Sequence, residues 1–448
     1  MPTTTRRTGF FQVLPRDWMS MSPINPCSES GELHLTKSLV LVFTLALVLR
    51  LVWAWWIPVI PLSDGEAYDV FARTLVQHGT FGWTAEEPTA FWPPGTTFMH
   101  AALFWLFGIR YEPIIAINIA LSLGIIWVSA RLAARFWGQQ VALISAVILA
   151  VWPTLVMYPT ILASELPFLF LTLLAMDLWF NPKQALAPRA LLVGLVLGLA
   201  SLVRPQALLL PLVFAVASVL TQRPTFSEVK GQFKCVALAG LVMALVVAPW
   251  VWRNHLLYGE PVLISTNGGI TLWMGNTPGT DGRYMAMPET VSHLPANEKA
   301  RVLAQEAKNY IVQDPAAFLV RAVRKLVILY SNESVGVSWN AQGISQTFGP
   351  SWELRLKRAT QASWALIFVL ALAGIWSSMR RVGWVKALAS PLTLSILYFT
   401  AIHMVVVSQD RYHLAFAGQL AIFAALGATE FLAWRRKRSS DQSSSALP

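Results

Sequence analysis

Ser63-Asp64-Gly65-Glu66-Ala67-Tyr68-Asp69 follows directly on the apolar run 39–62. Three carboxylates thus fall where a stretch long enough to cross a bilayer comes to its end. Like charges this close raise one another's proton affinity, so the cluster suits a site that needs a base, a metal or a cationic partner. Taken alone, the stretch fits a solvated acidic loop equally well. The depth at which the other charges of the chain lie decides between the two.

Hydrophobic residues make up 55% of the 448 and charged residues only 13%. Average globular chains carry about twice that share of charge. Mean hydropathy is +0.53. These values describe an all-α polytopic membrane protein of about ten spans rather than a soluble enzyme with one anchor. The formal charge of +11 could point to nucleic acid, but cytoplasmic Lys and Arg account for it, and no nucleic-acid partner is expected. Two cysteines, Cys27 and Cys235, supply neither a disulfide framework nor metal-site spacing. Interfacial belts explain most of the 20 Trp, with sugar stacking left for a few.

In chain order, residues 1–35 read as a disordered cytoplasmic tail. A seven-helix module, 36–252, follows. Its expected crossings are 36–62, 113–134, 141–157, 164–180, 190–203, 206–220 and 235–251. A first outer loop, 63–112, carries an amphipathic helix over 67–78 and a rigid corner, Phe91-Trp92-Pro93-Pro94-Gly95. Residues 253–360 form an outer, interfacial region. Within it, Asn267-Gly268-Gly269 reads as a turn, because such residues permit positive φ and close backbone approach. Residues 297–313 read as a surface helix. The stretch 315–329 reads as an amphipathic one whose Arg321, Arg324 and Lys325 suit either contact with lipid phosphate or a solvated basic face. Crossings at 362–379, 387–407 and 413–432, within 361–433, complete the bundle. Residues 434–448 form a basic, Ser-rich cytoplasmic tail. Arg50 lies inside the first span and calls for a buried partner, which the sequence does not name.

The positive-inside rule orients this layout. With the N-terminus inside, the inner segments hold 18 Lys plus Arg, against four in the short outer loops: Arg73, Arg110, Arg204 and Arg411. Both termini are therefore expected inside the cytoplasmic membrane. Asp64, Glu165, Arg204, Arg253 and Arg411 then share the outer level, as a single outer cavity requires. A transporter or flippase for lipid-linked sugars would keep several polar groups near the midplane, often in repeated halves; here only Arg50, with Asp177 and Glu430 toward the inner side, lies within spans, and no repeat is evident. Outside the cytoplasm a group-transfer enzyme has no nucleotide donor and draws on a lipid-linked one. One carboxylate then acts as general base on an acceptor hydroxyl, and arginines hold the leaving phosphate.

Several motifs carry a resemblance. Ser63-Asp64-Gly65-Glu66-Ala67-Tyr68, Phe71-Ala72-Arg73-Thr74-Leu75 and Thr89-Ala90-Phe91-Trp92-Pro93-Pro94-Gly95 resemble the first outer loop of glycosyltransferase family 39-like proteins. These are GT-C enzymes related to protein O-mannosyltransferases and lipid A aminoarabinose transferases. Ala163-Ser164-Glu165-Leu166-Pro167, Leu202-Val203-Arg204-Pro205-Gln206, Pro249-Trp250-Val251-Trp252-Arg253-Asn254, Ser265-Thr266-Asn267-Gly268-Gly269, Leu272-Trp273-Met274-Gly275-Asn276 and Asp410-Arg411-Tyr412 extend it over roughly 37–432. The resemblance implies inverting transfer of a hexosyl or pentosyl group from a polyprenyl-phosphate sugar to a lipid, glycan or protein. A GT-C polymerase or ligase using lipid diphosphates shares the fold. It also implies an acidic base in the first loop: Asp64, with Glu66 second, because Gly65 separates two acids that are often adjacent in the family. Substrate-binding roles fall to Tyr68, Glu165, Arg204, Arg253, Asn267, Trp273, Arg411 and Tyr412. Related enzymes often have a cation where Trp92 stands, so phosphate contact passes to the arginines. No cofactor is implied. A divalent metal held by Asp64 and Glu165 is the less favoured option.

Overall fold

The computed structural model describes residues 33–181, 183–222 and 225–445. Most of the expected N-terminal tail lies outside them. Apart from one isolated bridge, Gly82 to Pro88, the regular structure among the described residues is helical.

α1 (Lys37–Trp56) is capped by Thr36, whose hydroxyl accepts the Leu39 amide. It ends six residues short of the expected Leu62, because the residue before Pro58 is forced out of helical backbone. Most of its surface is exposed and apolar, as a lipid-facing helix requires. Arg50 is the exception and is fully buried. Its guanidinium donates to Ser122 Oγ at 2.6 Å, Leu149 O at 3.0 Å, Ala150 O at 3.0 Å and Ala46 O at 3.1 Å. The reason lies in the next elements. α4 (Glu112–Trp137) is a long crossing, but the crossing after it is broken into α5 (Gln139–Val151) and α6 (Pro153–Met157), bent by 56°. Pro153 has no N–H to give Leu149 O, so the break orphans carbonyls within the membrane. Arg50 fills them.

α7 (Glu165–Trp179) is short and mostly buried, and α8 (Leu186–Val203) ends at Pro205. α9 (Leu210–Gln222) and α10 (Phe226–Tyr258) follow. α10 runs past its expected end at Val251, so Arg253 belongs to its last turns. The outer region then builds α11 (Asn267–Met274), α12 (Ala296–Gln313), α13 (Pro315–Ser331), α14 (Val335–Ser338) and α15 (Ala341–Phe348). The Asn267-Gly268-Gly269 stretch is the first turn of α11 rather than a free turn. α16 (Ser351–Val382), α17 (Trp384–Leu388), α18 (Pro391–Val405) and α19 (Ala417–Ser445) close the bundle. α19 continues through most of the expected C-terminal tail as helix.

Among the described residues, six helices are long and apolar enough to cross a membrane, and the bent α5–α6 pair makes a seventh. The remaining expected crossings correspond to shorter apolar helices, α7, residues 205–221 and α18. Replacing Arg50 with Met leaves two carbonyls at the α5–α6 break without donors. A loss of about 2–4 kcal/mol is expected. It should appear as a lowered thermal unfolding midpoint in detergent, with Arg50→Lys falling between.

Candidate functional site

The site assembles where the starts of α2 (Asp64–His78) and α7, the end of α8 and the turn 410–416 converge. Ser63 caps α2 with φ 57° and ψ −125°, the one non-glycine residue with positive φ among those described. Such a conformation costs on the order of 1–3 kcal/mol. It starts α2 at Asp64, three residues before the expected position, so Asp64 and Glu66 occupy its first turn. There the free amides and helix dipole favour negative charge. A Cβ on Gly65 would lie 2.9 Å from Leu162 O, so only glycine lets α2 pack onto the segment leading into α7. That contact explains the residue separating the two acids. It also divides them: Asp64 lies inward and half-buried, whereas Glu66 is exposed.

The other arm of the first outer loop is α3 (Pro94–Phe107) with the corner before it. A Cβ on Gly95 would lie 2.8 Å from the backbone of Leu202 and Val203, so the corner presses on the end of α8. The next residue, Arg204, is extended, as the following proline demands, and its side chain turns into the site.

Four charges form a chain there. Arg411 Nη2 meets Asp64 Oδ2 at 2.5 Å, and Arg411 Nη1 meets Glu165 Oε1 at 3.4 Å. Arg204 Nη2 meets the same Glu165 oxygen at 2.5 Å. Arg204 Nε donates to Ser164 Oγ at 2.8 Å, and Arg411 Nε to Gln409 Oε1 at 2.9 Å. Tyr412 lies between the guanidiniums, 5.3 Å from Arg411 and 5.9 Å from Arg204, and stacks on His403 at 4.4 Å. Trp339 covers Arg411 at 4.4 Å. Tyr68 is buried beside them in hydrogen-bond contact with Ser164. Burial, then the Asp64 charge, holds its phenol well above the ordinary tyrosine range, so it stays protonated.

Arg411 is pinned from both sides in sequence. Asp410 accepts from the Ser334 amide at 2.9 Å, the Ser334 hydroxyl at 2.8 Å and Asn332 at 3.3 Å. His413 stacks on Trp364 at 4.0 Å, and its Nδ1 lies 3.0 Å from Leu329 O. Asn340, beside Trp339, bonds to Thr160 at 2.8 Å and to Gly336 O at 2.8 Å. Residues 332–340 therefore strap the turn that carries Arg411 onto the α6 end of the bundle.

Asp64, Tyr68, Glu165, Arg204, Arg411 and Tyr412 thus come together as expected. Three substrate-binding candidates do not join them. Arg253 donates to Thr89 O at 2.8 Å and lies over Trp250, bracing the first outer loop on α10. Trp273 is buried between α11 and α12, with its indole N–H on Glu306 at 3.0 Å. Asn267 stands at the start of α11, outside the charge chain. Sequence reasoning missed Ser164, Gln409, His403 and Trp339. Ser164 stands within a quoted motif without having been given a role and Gln409 directly precedes another, whereas nothing around Trp339 marks it. Among the described residues, no group of three or more His, Cys, Asp or Glu is arranged to hold a metal ion.

An apolar groove of about 850 Å³ runs between α9 and α10, and its wall includes Leu208, on the short helical segment that follows Arg204. Leu212, Met243, Val247, Trp252 and Leu263 are among its walls.

Glu165 answers two buried arginines. Glu165→Gln is expected to cost about 3–5 kcal/mol, because it strands buried cations. Glu66→Gln, on the exposed face of the same site, should stay within about 0.5 kcal/mol. Thermal unfolding of both variants in one detergent checks the contrast.

Residues 92–252 match the family model for dolichyl-phosphate-mannose-protein mannosyltransferases. No curated protein sequence matches the chain. Among solved structures, the archaeal oligosaccharyltransferase AglB from Archaeoglobus fulgidus, in complex with an inhibitory peptide and a dolichol-phosphate, aligns with a TM-score of 0.53 at 13% identity. That alignment covers 92% of this chain and 52% of AglB. ArnT from Cupriavidus metallidurans, bound to undecaprenyl phosphate, aligns with a TM-score of 0.53 at 17% identity, covering 87% of this chain and 59% of ArnT. The chain therefore spans between half and two thirds of the length of these proteins. It is a polytopic membrane protein with the fold of the GT-C glycosyltransferases.

Proposed function

We propose that the protein is a glycosyltransferase that moves a sugar from a polyprenyl-phosphate carrier to a hydroxyl of a lipid, glycan or protein. The reaction takes place on the extracytoplasmic face of the cytoplasmic membrane, with both termini inside. The observation that carries this reading is the Asp64–Arg411–Glu165–Arg204 chain, and the apolar groove whose wall includes Leu208, on the segment that follows Arg204, supports it. The groove suits a prenyl chain, and the arginines suit its phosphate. AglB and ArnT hold lipid phosphates, which agrees with such a donor. The Lys and Arg asymmetry between loops supports the orientation.

Asp64 takes the proton from the acceptor O–H while that oxygen bonds the sugar's anomeric carbon. The carbon–oxygen bond to the phosphate breaks, and its electron pair leaves on the phosphate. Arg204 and Arg411 stabilise the charge that grows there. A single displacement of this kind inverts the anomeric centre. Glu66 is exposed and unlinked to the arginines, which favours Asp64 as the base. The guanidiniums supply the positive charge at the leaving group, so the reading calls for no metal.

Arg411 occupies the Asp64 carboxylate. A donor phosphate competes for the same guanidinium, and drawing Arg411 away leaves the carboxylate open to the acceptor O–H. Asp64→Asn should therefore lower transfer by about 10²–10⁴-fold while binding undecaprenyl phosphate at least as tightly as the unsubstituted protein. Near-normal transfer by a folded Asp64→Asn protein would refute the assignment. Arg204→Ala should raise the KM for the lipid donor several-fold more than that for the acceptor. Equal effects on both would remove Arg204 from the phosphate site.

A further inference from the structure

α13 is built inside out. Its exposed face carries the large apolar residues Leu319, Val320, Val323 and Val327. Two of its cations, Arg321 and Lys325, stand one turn apart on the side turned toward the protein. Lys325 is fully buried, and its Nζ donates to Val405 O at 2.9 Å and Asn276 Oδ1 at 3.3 Å, both neutral acceptors. Arg321 Nε and Nη2 are buried and have no acceptor. Arg324, at the exposed rim, reaches Thr280 O at 3.4 Å. Among the described residues, no carboxylate pairs with any of the three cations. Lys325 is therefore not at the surface where the amphipathic pattern set it to meet lipid phosphate. In a membrane protein the outward side of such a helix is the apolar one.

Buried Lys325 and half-buried Arg321, without a counter-charge, repel each other, and unpaired buried N–H groups are costly. The unpaired pair on Arg321 is also specific. Nε and Nη2 form one edge of the guanidinium, and their parallel N–H bonds match two oxygens of a phosphate or carboxylate. Burial, then the Arg321 charge, pushes Lys325 down to about 8. A bound anion would relieve the same repulsion.

We propose that Arg321, with Lys325 behind it and Arg324 at the rim, forms a binding site for the phosphate of an anionic membrane phospholipid, built from residues outside the Asp64–Arg411–Glu165–Arg204 chain. The lipid source follows from the helix itself. The flank carrying Val320, Val323 and Val327 offers acyl chains an apolar surface beside the headgroup contacts, whereas free phosphate would leave it uncovered. The site does not rest on the proposed transferase reaction, since none of its residues belongs to the charge chain.

Native mass spectrometry tests it, on the full-length protein released from phosphatidylcholine nanodiscs containing dioleoyl phosphatidate. The unsubstituted protein should retain phosphatidate in preference to phosphatidylcholine. Arg321→Gln should weaken that retention about tenfold or more, and Arg324→Gln less. Arg321→Lys keeps the charge but lacks the paired edge and should fall between. Asp64→Asn should retain phosphatidate as the unsubstituted protein does. Unchanged retention by a folded Arg321→Gln protein would overturn the site. Displacement of phosphatidate by millimolar inorganic phosphate would overturn the lipid assignment.

Discussion

Arg411 joins two carboxylates that lie far apart in the chain, Asp64 at 2.5 Å and Glu165 at 3.4 Å. Much of the architecture at this end of the bundle follows from the need to keep that guanidinium neutralised and aimed. A charge withdrawn from water is tolerable only when paired and hydrogen-bonded. Glu165, itself buried, needs both arginines. Arg204 needs the extended backbone before Pro205 to reach it. Asp64 needs the unusual conformation of Ser63 and the missing side chain of Gly65. Each of these local features makes little sense alone and follows from the shared constraint.

Much of this was legible beforehand, and for a physical reason. Apolar run length reports a crossing because the bilayer has a fixed thickness, so α4, α8 and α10 stand close to where the runs placed them. Charges at the ends of such runs share a depth, so Asp64, Glu165, Arg204 and Arg411 could be expected to meet. Direction around a helix is harder to read. Arg253 and Trp273 come from motifs of the same resemblance as the site residues, yet one braces a loop and the other fills a small core between α11 and α12. Depth does not say which neighbour a side chain faces. Trp339 was illegible because it comes from a strap with no hydrophobic period. α13 was misjudged because an amphipathic pattern marks two faces without saying which one meets lipid.

Broken helices show the same limit. Pro153 lies within the stretch expected as a single crossing, 141–157, where nothing marked it as a break that leaves Leu149 O and Ala150 O seeking donors within the membrane. Arg50, visible as an intramembrane cation, was the other half of the same fact. The two observations are 99 and 100 residues apart in the chain. They join only when α1 is seen against α5.

Comparing the arginines separates structure from chemistry better than burial does. Arg50 and Arg411 are both buried in the membrane bundle. Arg50 holds carbonyls, fixed parts of the backbone that no incoming group can replace without undoing the helix break. Arg411 holds carboxylates, which a phosphate can replace in the same geometry at equal charge. One of them, Asp64, lies at a half-exposed edge that an incoming group can reach. Arg321 is a third kind, with one donor edge facing no acceptor at all. The partners an arginine has, and whether they can be exchanged, thus indicate whether its charge is spent on the fold or available to a ligand. By that criterion Arg50 belongs to the fold, whereas Arg204, Arg411 and Arg321 are the arginines whose partners a phosphate can replace or supply.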